Sequence, residues 1–182
     1  MNITILSDDH FFAQSVLALC PKNSLDVQPE KHLLLVDVMN FSDYHQLSAL
    51  CTPEGNCTLA FVPQHVQHFH FMDTTLWPRL SDNINIAVIS RKAQVFEYQA
   101  LFTNNACHIK HAFTADTIFT RPEINVIHSI DSAAPSCHQV NHKCLSAHKR
   151  AVMKKTHISS HAELQDVVIK HQALTHALTK LL

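Results

Sequence analysis

Glycine is almost missing from this chain: Gly55 is the single one in 182 residues. That excludes a glycine-rich phosphate loop of the Walker or dinucleotide type, which needs several glycines at fixed spacing. Cysteines Cys20, Cys51, Cys57, Cys107, Cys137 and Cys144 are spread thinly, with no CxxC pair. Such spacing reads as reduced thiols in a cytoplasmic protein rather than a disulfide frame. No apolar run approaches the roughly 18 residues needed to cross a bilayer. The opening MNITILSDD has no basic n-region and turns acidic at once, so it does not read as a signal peptide. No Ser or Cys nucleophile sits in a recognisable motif, and no enzymatic activity is expected. What is present, 46% hydrophobic and 16% charged residues, is the balance of a folded globular chain.

The net charge of −1 hides an asymmetry. Residues 1–118 carry six Lys/Arg and eleven Asp/Glu, whereas residues 119–182 carry eight and four. An acidic part joined to a basic part predicts two domains, the basic one facing a polyanion. The hydrophobic pattern divides the chain in the same place. Apolar runs at Ile3–Ser7, Leu33–Met39, Cys57–Pro63 and Ile84–Ser90 read as buried strands, with amphipathic segments between them and a further helix at Lys92–Phe102. Continuous apolar strands alternating with helices predict a parallel sheet covered on both faces. From about Thr120 the pattern is helical throughout. Thr120-Arg-Pro-Glu123 and Ser160-His-Ala-Glu163 fit capping boxes. The last helix carries a long apolar stripe, Leu164, Val167, Val168, His171, Leu174, Leu178 and Leu181, which exceeds what a small domain needs and predicts pairing with a second copy. The expected layout is an α/β domain at 1–104, a linker at 105–118 and an all-α domain at 119–182.

Asp8, Asp9 and Asp37 stand at the carboxyl ends of neighbouring predicted strands, where functional groups gather in such sheets. Three carboxylates there can hold Mg²⁺ and let Asp37 attack a phosphoryl donor; solvated aspartates also commonly close strands. ILSDDHFFAQSVLAL and LLLVDVMN resemble the first and the phospho-acceptor strands of response-regulator receiver domains of the NarL/FixJ (LuxR-type) group. The resemblance implies Asp8 and Asp9 as the acidic pocket and Asp37 as the acceptor. Three departures accompany it. Asp9 and Asp37 are too close in sequence for the usual second strand and helix; Ala60-Phe61-Val62-Pro63 lacks the usual hydroxyl; and Ser90-Arg91-Lys92 stands where a lysine is usual, with Lys92 out of register. The receiver-like domain is therefore expected to be shortened and not controlled by phosphorylation, with no cofactor unless the acidic pocket takes Mg²⁺.

CLSAHKRAVMKK, Cys144–Lys155, is the most basic stretch. At helical spacing Lys143, Ser146, Ala147, Lys149, Arg150 and Lys154 fall on or beside one face, and Leu145, His148 and Val152 on another. Cations separated by small residues suit approach to a DNA major groove; a solvated face on an ordinary amphipathic helix has the same pattern. FTRPEINVIHSI and KCLSAHKRAVMKKTHISSHAEL resemble the first helix, and the recognition helix with its successor, of LuxR-type helix-turn-helix domains. The resemblance implies double-stranded DNA as partner, faced by Lys143, Ser146, Lys149 and Arg150; Lys154 is expected to join them from the same helical face. Between these matches the chain is about five residues short, so the scaffold helix is one short turn or the motif is impaired.

Two histidine-rich readings compete with this one. Cys137, His138, His142 and Cys144 could take Zn²⁺ and staple the shortened turn. His65-x-x-His68-x-His70 is a second candidate, the alternative being exposed loop histidines. The expectation is a bacterial DNA-binding transcriptional regulator, working as a homodimer or as a heterodimer with a related regulator. The alternatives are an interaction protein that no longer reads DNA and a phosphotransfer domain acting through Asp37.

Overall fold

A computed structural model describes residues 2–20, 32–50, 57–72, 76, 79, 84–103, 118–131 and 142–180. Its first part is a four-stranded, wholly parallel sheet: β1 (Asn2–Leu6), β2 (His32–Asp37), β3 (Cys57–Val62) and β4 (Asn85–Val88), in that order across the sheet. Ile3 pairs with Leu33, Leu33 with Thr58, and Thr58 with Asn85. Successive side chains on a strand point to opposite faces, and the continuous run HLLLVD lets β2 bury both. Leu33 and Leu35, with Ala60, Val62 and Ala87, pack under α1 (His10–Ala18) and α3 (Val95–Phe102) through Val16, Tyr98, Leu101 and Phe102. Leu34 and Val36, with Leu59, Phe61 and Val88, pack under α2 (Gln46–Leu50) and a 3₁₀ helix (Val66–Phe71) through Leu47 and Phe69.

The facing of these helices is informative. Strands β1 to β4 all step the same way, and right-handed crossovers stepping one way place their helices on one face. Yet α1, which precedes β2, lies on the face opposite α2 and the 3₁₀ helix. A doubly wound sheet of order 2-1-3-4-5 explains this. There the first helix leads to an outer strand, and the second helix returns on the other face. Take away that outer strand and the returning helix, and the order and facing seen here remain. The described residues form a receiver-like α/β sheet of this kind, with no such outer strand among them, followed by helices.

Those helices are α4 (Arg121–Asp131), α5 (His142–Thr156) and α6 (His161–Thr179). Ile127, Val152, Ile158, Leu164, Val167 and Val168 join Phe119, and also Phe71 of the 3₁₀ helix, in one cluster. Each expected capping box shows one of its two hydrogen bonds, and Glu163 Oε2 accepts from the N–H of Ser159 rather than of Ser160. The Thr120 N–H donates to Glu123 Oε2 at 2.7 Å, and the Glu163 N–H donates to Ser160 Oγ at 3.1 Å. Between α5 and α6 the scarcity of glycine shows. His157 takes the left-handed position (φ 58°) that glycine ordinarily fills. The Ile158 N–H returns to Met153 O at 2.9 Å, and Ile158 is buried with Met153 against it, completing a Schellman stop.

The stripe on the last helix calls for a correction. Leu164, Val167, Val168, His171, Leu174 and Leu178 are all buried within the chain. Leu174 and Leu178 belong to the sheet's own core, and Lys170 Nζ donates to Met39 O at 2.6 Å. A helix of this length runs for about 28 Å, enough to serve the helical cluster at one end and the sheet at the other. The excess apolar surface is consumed inside the chain, so it offers no face to a second copy. Leu181 and most of the expected linker lie outside the described residues.

Candidate functional site

The carboxyl ends of β1 and β2 bring Asp9 and Asp37 together. Asp9 caps α1: its Oδ1 accepts from the Phe12 N–H at 3.0 Å, while its own N–H donates to Ser7 Oγ at 3.1 Å. Asp37 is fully buried, with 0% exposure. Its Oδ2 accepts from Ser7 Oγ at 2.8 Å, and Asn40 Nδ2 lies 3.3 Å and 3.1 Å from its two oxygens. The cation between them is Arg91. One guanidinium nitrogen is in contact with Asp9 Oδ2, the other lies 3.6 Å from Asp37 Oδ2, and the plane sits 4.7 Å from the Phe12 ring centre. The Phe12 backbone hydrogen bond, with Arg91 beside it, holds the Asp9 carboxyl below its ordinary range against the effect of desolvation.

This geometry departs from the expected acidic pocket. Asp8 is exposed, and its N–H donates to Asn40 O at 2.5 Å. Among the described residues no group of three or more His, Cys, Asp or Glu is arranged to hold a metal ion. Arg91, rather than Lys92, faces the carboxylates; Lys92 is exposed, with Nζ 3.2 Å from His65 Nε2. The hydroxyl that reaches Asp37 comes from Ser7, just after the first strand, since β3 ends at Val62 and is followed by Pro63. A carboxylate with no exposure and both oxygens engaged is not placed to attack a phosphoryl donor.

The second charged region is α5. Lys143, Ser146, Ala147, Arg150 and Lys154 are exposed, and Lys149 is half-buried. Val152 is fully buried, with Leu145 and His148 half-buried. The two faces are therefore those expected from the spacing. Arg150 Nε donates to Ser146 O at 3.3 Å, and among the described residues no carboxylate pairs with Lys149, Arg150 or Lys154. Lys155 has a different role. Its Nζ donates to Ile118 O at 2.9 Å and to Glu123 Oε2 at 2.7 Å, fastening α5 to the start of α4. Burial raises the Glu123 carboxyl, but the hydrogen bonds from Lys155 and Thr120 outweigh it and hold the group below its ordinary range.

The far end of α5 is anchored by histidines, and here the reading of His65, His68 and His70 as exposed loop residues is corrected. His68 is fully buried in the 3₁₀ helix, and its Nε2 bonds Thr156 O, in the last turn of α5, at 3.0 Å. His171 is fully buried on α6, and its Nδ1 bonds Val167 O at 2.7 Å. Because these backbone partners are acceptors, the two ring nitrogens donate. The rings of His68 and His171 meet edge to face at 6.0 Å, and His65 lies 5.3 Å from both His68 and His157. Among the described residues His68 Nδ1 and His171 Nε2 have no hydrogen-bond partner. Burial pushes His68 down to about 4 and His171 to about 3, so both are neutral near pH 7. Only their spacing was visible in the sequence. Nothing in the local pattern separates a buried histidine from a loop one.

Of the zinc candidates, Cys137 and His138 lie outside the described residues, as does the shortened segment before α5; Cys144 is exposed on that helix. None of the described helices is long and apolar enough to cross a membrane. Compared with known proteins, the chain matches no family model, no curated protein and no solved structure.

Proposed function

We propose that this protein is a cytoplasmic, DNA-binding transcriptional regulator of the LuxR type whose receiver-like sheet is held by an internal ion pair instead of being switched by phosphorylation. The observation that carries the reading is the division of labour on α5. Its apolar face and its last turn are fixed by Val152, Lys155 and the His68 bond, while Ser146, Arg150 and Lys154 are exposed. A rigidly held helix with small residues between its cations suits a major groove: the cations reach phosphates and guanine edges, and Ser146 and Ala147 allow close approach. The receiver-like part touches this helix at its anchored end, so the basic face needs no release step. No chemical reaction belongs to this reading.

The test is selection from a random DNA duplex pool, followed by anisotropy titration of the selected site across salt. Wild-type protein is expected to bind a specific site with a steep salt dependence. Lys149→Ala with Arg150→Ala is expected to abolish specific binding and to flatten the salt slope by about 2. If no duplex is selected, or the double variant binds as wild type does, the DNA reading fails and the interaction-protein reading takes its place. The phosphotransfer reading has no support in the geometry around Asp37.

A further inference from the structure

Four histidines lie where the sheet layer meets the last two helices. His65 and His68 come from the start of the 3₁₀ helix, His157 from the stop after α5, and His171 from the middle of α6. Their rings form a chain: His157 to His65 at 5.3 Å, His65 to His68 at 5.3 Å, and His68 to His171 at 6.0 Å. Across this junction His68 Nε2 donates to Thr156 O at 3.0 Å, which closes the last turn of α5 on the sheet layer. Phe69 and Phe71 wall His171, at 6.1 Å and 6.2 Å between ring centres, and His70 faces Phe119. Among the described residues no carboxylate forms an ion pair with His68 or His171. Glu163 of α6, whose charge reaches His65 and His68, already accepts from the Ser159 N–H and hydroxyl at 2.8 Å and 2.7 Å. The remaining groups that act on these rings are cations or become cations in acid: His65 and His157 towards His68, Lys170 towards His171, and Lys92 towards His65. A second proton on either buried ring therefore sets a charge among apolar rings and like charges, with no acceptor for the new N–H.

We propose that this cluster is a proton-operated latch on the end of the basic helix: acid opens the contact of His68 with Thr156 and frees the last turn of α5 from the sheet layer, while both parts stay folded. Two observations confine the opening to this junction. The ties on either side of it withstand acid. Lys155 with Glu123 holds α5 to α4, Arg91 with Asp9 holds the loop before α3 to α1, and both carboxyls are kept below their ordinary range. The last helix also runs through the junction, with Leu164 and Val168 in the helical cluster and Leu174 and Leu178 in the sheet's core, so the layers stay tethered when His68 lets go. Burial keeps His68 and His171 neutral while the latch is closed, and once open they regain an ordinary value of about 6.5. The open form then binds protons that the closed form does not, and acid draws the population towards it. From pH 7 to pH 5 the open population is expected to rise about 25-fold for one histidine and about 600-fold for two. The latch gives the proposed regulator an input, the proton, where the sealed Asp37 offers none. That consequence rests on the DNA reading, whereas the opening itself is measured without DNA.

Amide hydrogen exchange of the full chain, free of DNA and followed by NMR at pH 7, 6 and 5, decides it. After correction for intrinsic exchange, wild type is expected to lose protection on the order of 600-fold at Thr156 and Ile158 between pH 7 and pH 5. At pH 5 these amides are expected to exchange faster than those of Leu35 and Ala60 and to be unmoved by low urea, since a local opening exposes little surface. His68→Gln keeps an Nε2 donor for Thr156 O and cannot take the proton, so its loss is expected to shrink to about 25-fold. His171→Phe, whose ring suits the neighbourhood of Phe69 and Phe71, is expected to do the same and carries the test alone if His68→Gln does not fold. A loss as large in the variants as in wild type overturns the proposal. So does equal exchange and equal urea sensitivity at Ile158 and Leu35, which is global unfolding. With DNA present, specific affinity is expected to fall between pH 7 and pH 5 in wild type but not in His68→Gln, because exposed histidines attract phosphates equally in both. An equal fall in both overturns the hold of the latch on the basic face. Opening that depends on His68 in a chain that selects no duplex supports the latch and removes only the DNA reading.

Discussion

At the carboxyl ends of the strands Asp9 and Asp37 meet Arg91, whereas on α5 Lys149, Arg150 and Lys154 meet no carboxylate among the described residues. Each region gathers charge, and the sequence makes them look like equal candidates for chemistry. The pocket supplies its own counter-ion from the loop after β4, and Asp37 is sealed at 0% exposure. The helix keeps its charges in water, where they cost little, and holds them at fixed spacing. Charge neutralised within the chain stabilises the fold; charge left open is available to a partner. Between the two regions lies a third arrangement, the neutral histidines His68 and His171, which join the sheet layer to the helices without charge.

The largest effect expected is on that uncharged joint. Both histidines have folded values below their ordinary 6.5, at about 4 and about 3. The unfolded chain therefore binds more protons than the native one once pH drops below about 6.5. Stability from these groups is complete above that pH and falls as pH drops towards 4, by up to about 1.4 kcal/mol per histidine per pH unit. By pH 4.5 the two together remove about 5 kcal/mol, a large part of a typical domain's stability. Urea midpoints at pH 7, 6 and 5 measure the slope. Replacing His171 with Phe is expected to halve it, and an unchanged slope would assign the acid sensitivity elsewhere.

Arg91 comes next, and its variant separates the two charged regions directly. Arg91→Ala leaves the buried Asp37 carboxylate facing no cation, at a cost of about 3 kcal/mol. DNA affinity is expected to stay within about 2-fold, since the basic face does not depend on the pocket. Added Mg²⁺ should raise the melting temperature of the variant and leave wild type unmoved, because only the variant has room for a cation beside Asp9 and Asp37. If Mg²⁺ stabilises wild type instead, the pocket is a metal site in spite of Arg91. On α5 the reverse pattern is expected: Arg150→Ala changes stability by less than about 0.5 kcal/mol.

Lys155 tests whether position or charge alone decides a lysine's role. It lies next to Lys154 in sequence, yet it closes on Glu123 and Ile118 O while its neighbour stays in water. Lys155→Met keeps the stem and removes the ammonium group. Thermal unfolding is expected to show a loss of about 1–2 kcal/mol, discounted because the Lys155 side chain is 35% exposed. Lys154→Met should show none. Equal losses would mean that the fold draws on the whole basic stretch.

Much of this is legible in the sequence. The apolar runs marked all four strands, the two capping boxes marked helix starts, and helical spacing sorted Lys143, Ser146, Arg150 and Lys154 from Val152. These are local signals, set by periodicity and by hydrogen bonds within one turn. What escaped depends on contacts distant in sequence. Arg91 reaches Asp9 from 82 residues away and His68 reaches Thr156 from 88. The placement of α1 on the face opposite α2 is likewise not a local property, since it depends on how the whole sheet is wound. The long stripe of α6 was visible, but a stripe does not say whether a sheet or a second copy will cover it.

The smallest effect expected concerns the stop after α5, where the shortage of glycine meets the anchoring of the helix. His157 occupies a left-handed position that costs a non-glycine residue about 1 kcal/mol. It also packs its ring against His65, at 5.3 Å and tilted by 31°. His157→Gly relieves the backbone and removes the ring. If the backbone dominates, chemical denaturation will show a gain of somewhat less than 1 kcal/mol, since glycine also frees the unfolded chain. His157→Asn keeps a side chain suited to the left-handed region and removes the ring, so the two variants separate the terms. A loss in both would show that the histidine contact matters more to the end of α5 than the strain does. The joint between sheet and helices would then extend from His171 through His68 and His65 to the very stop of the basic helix.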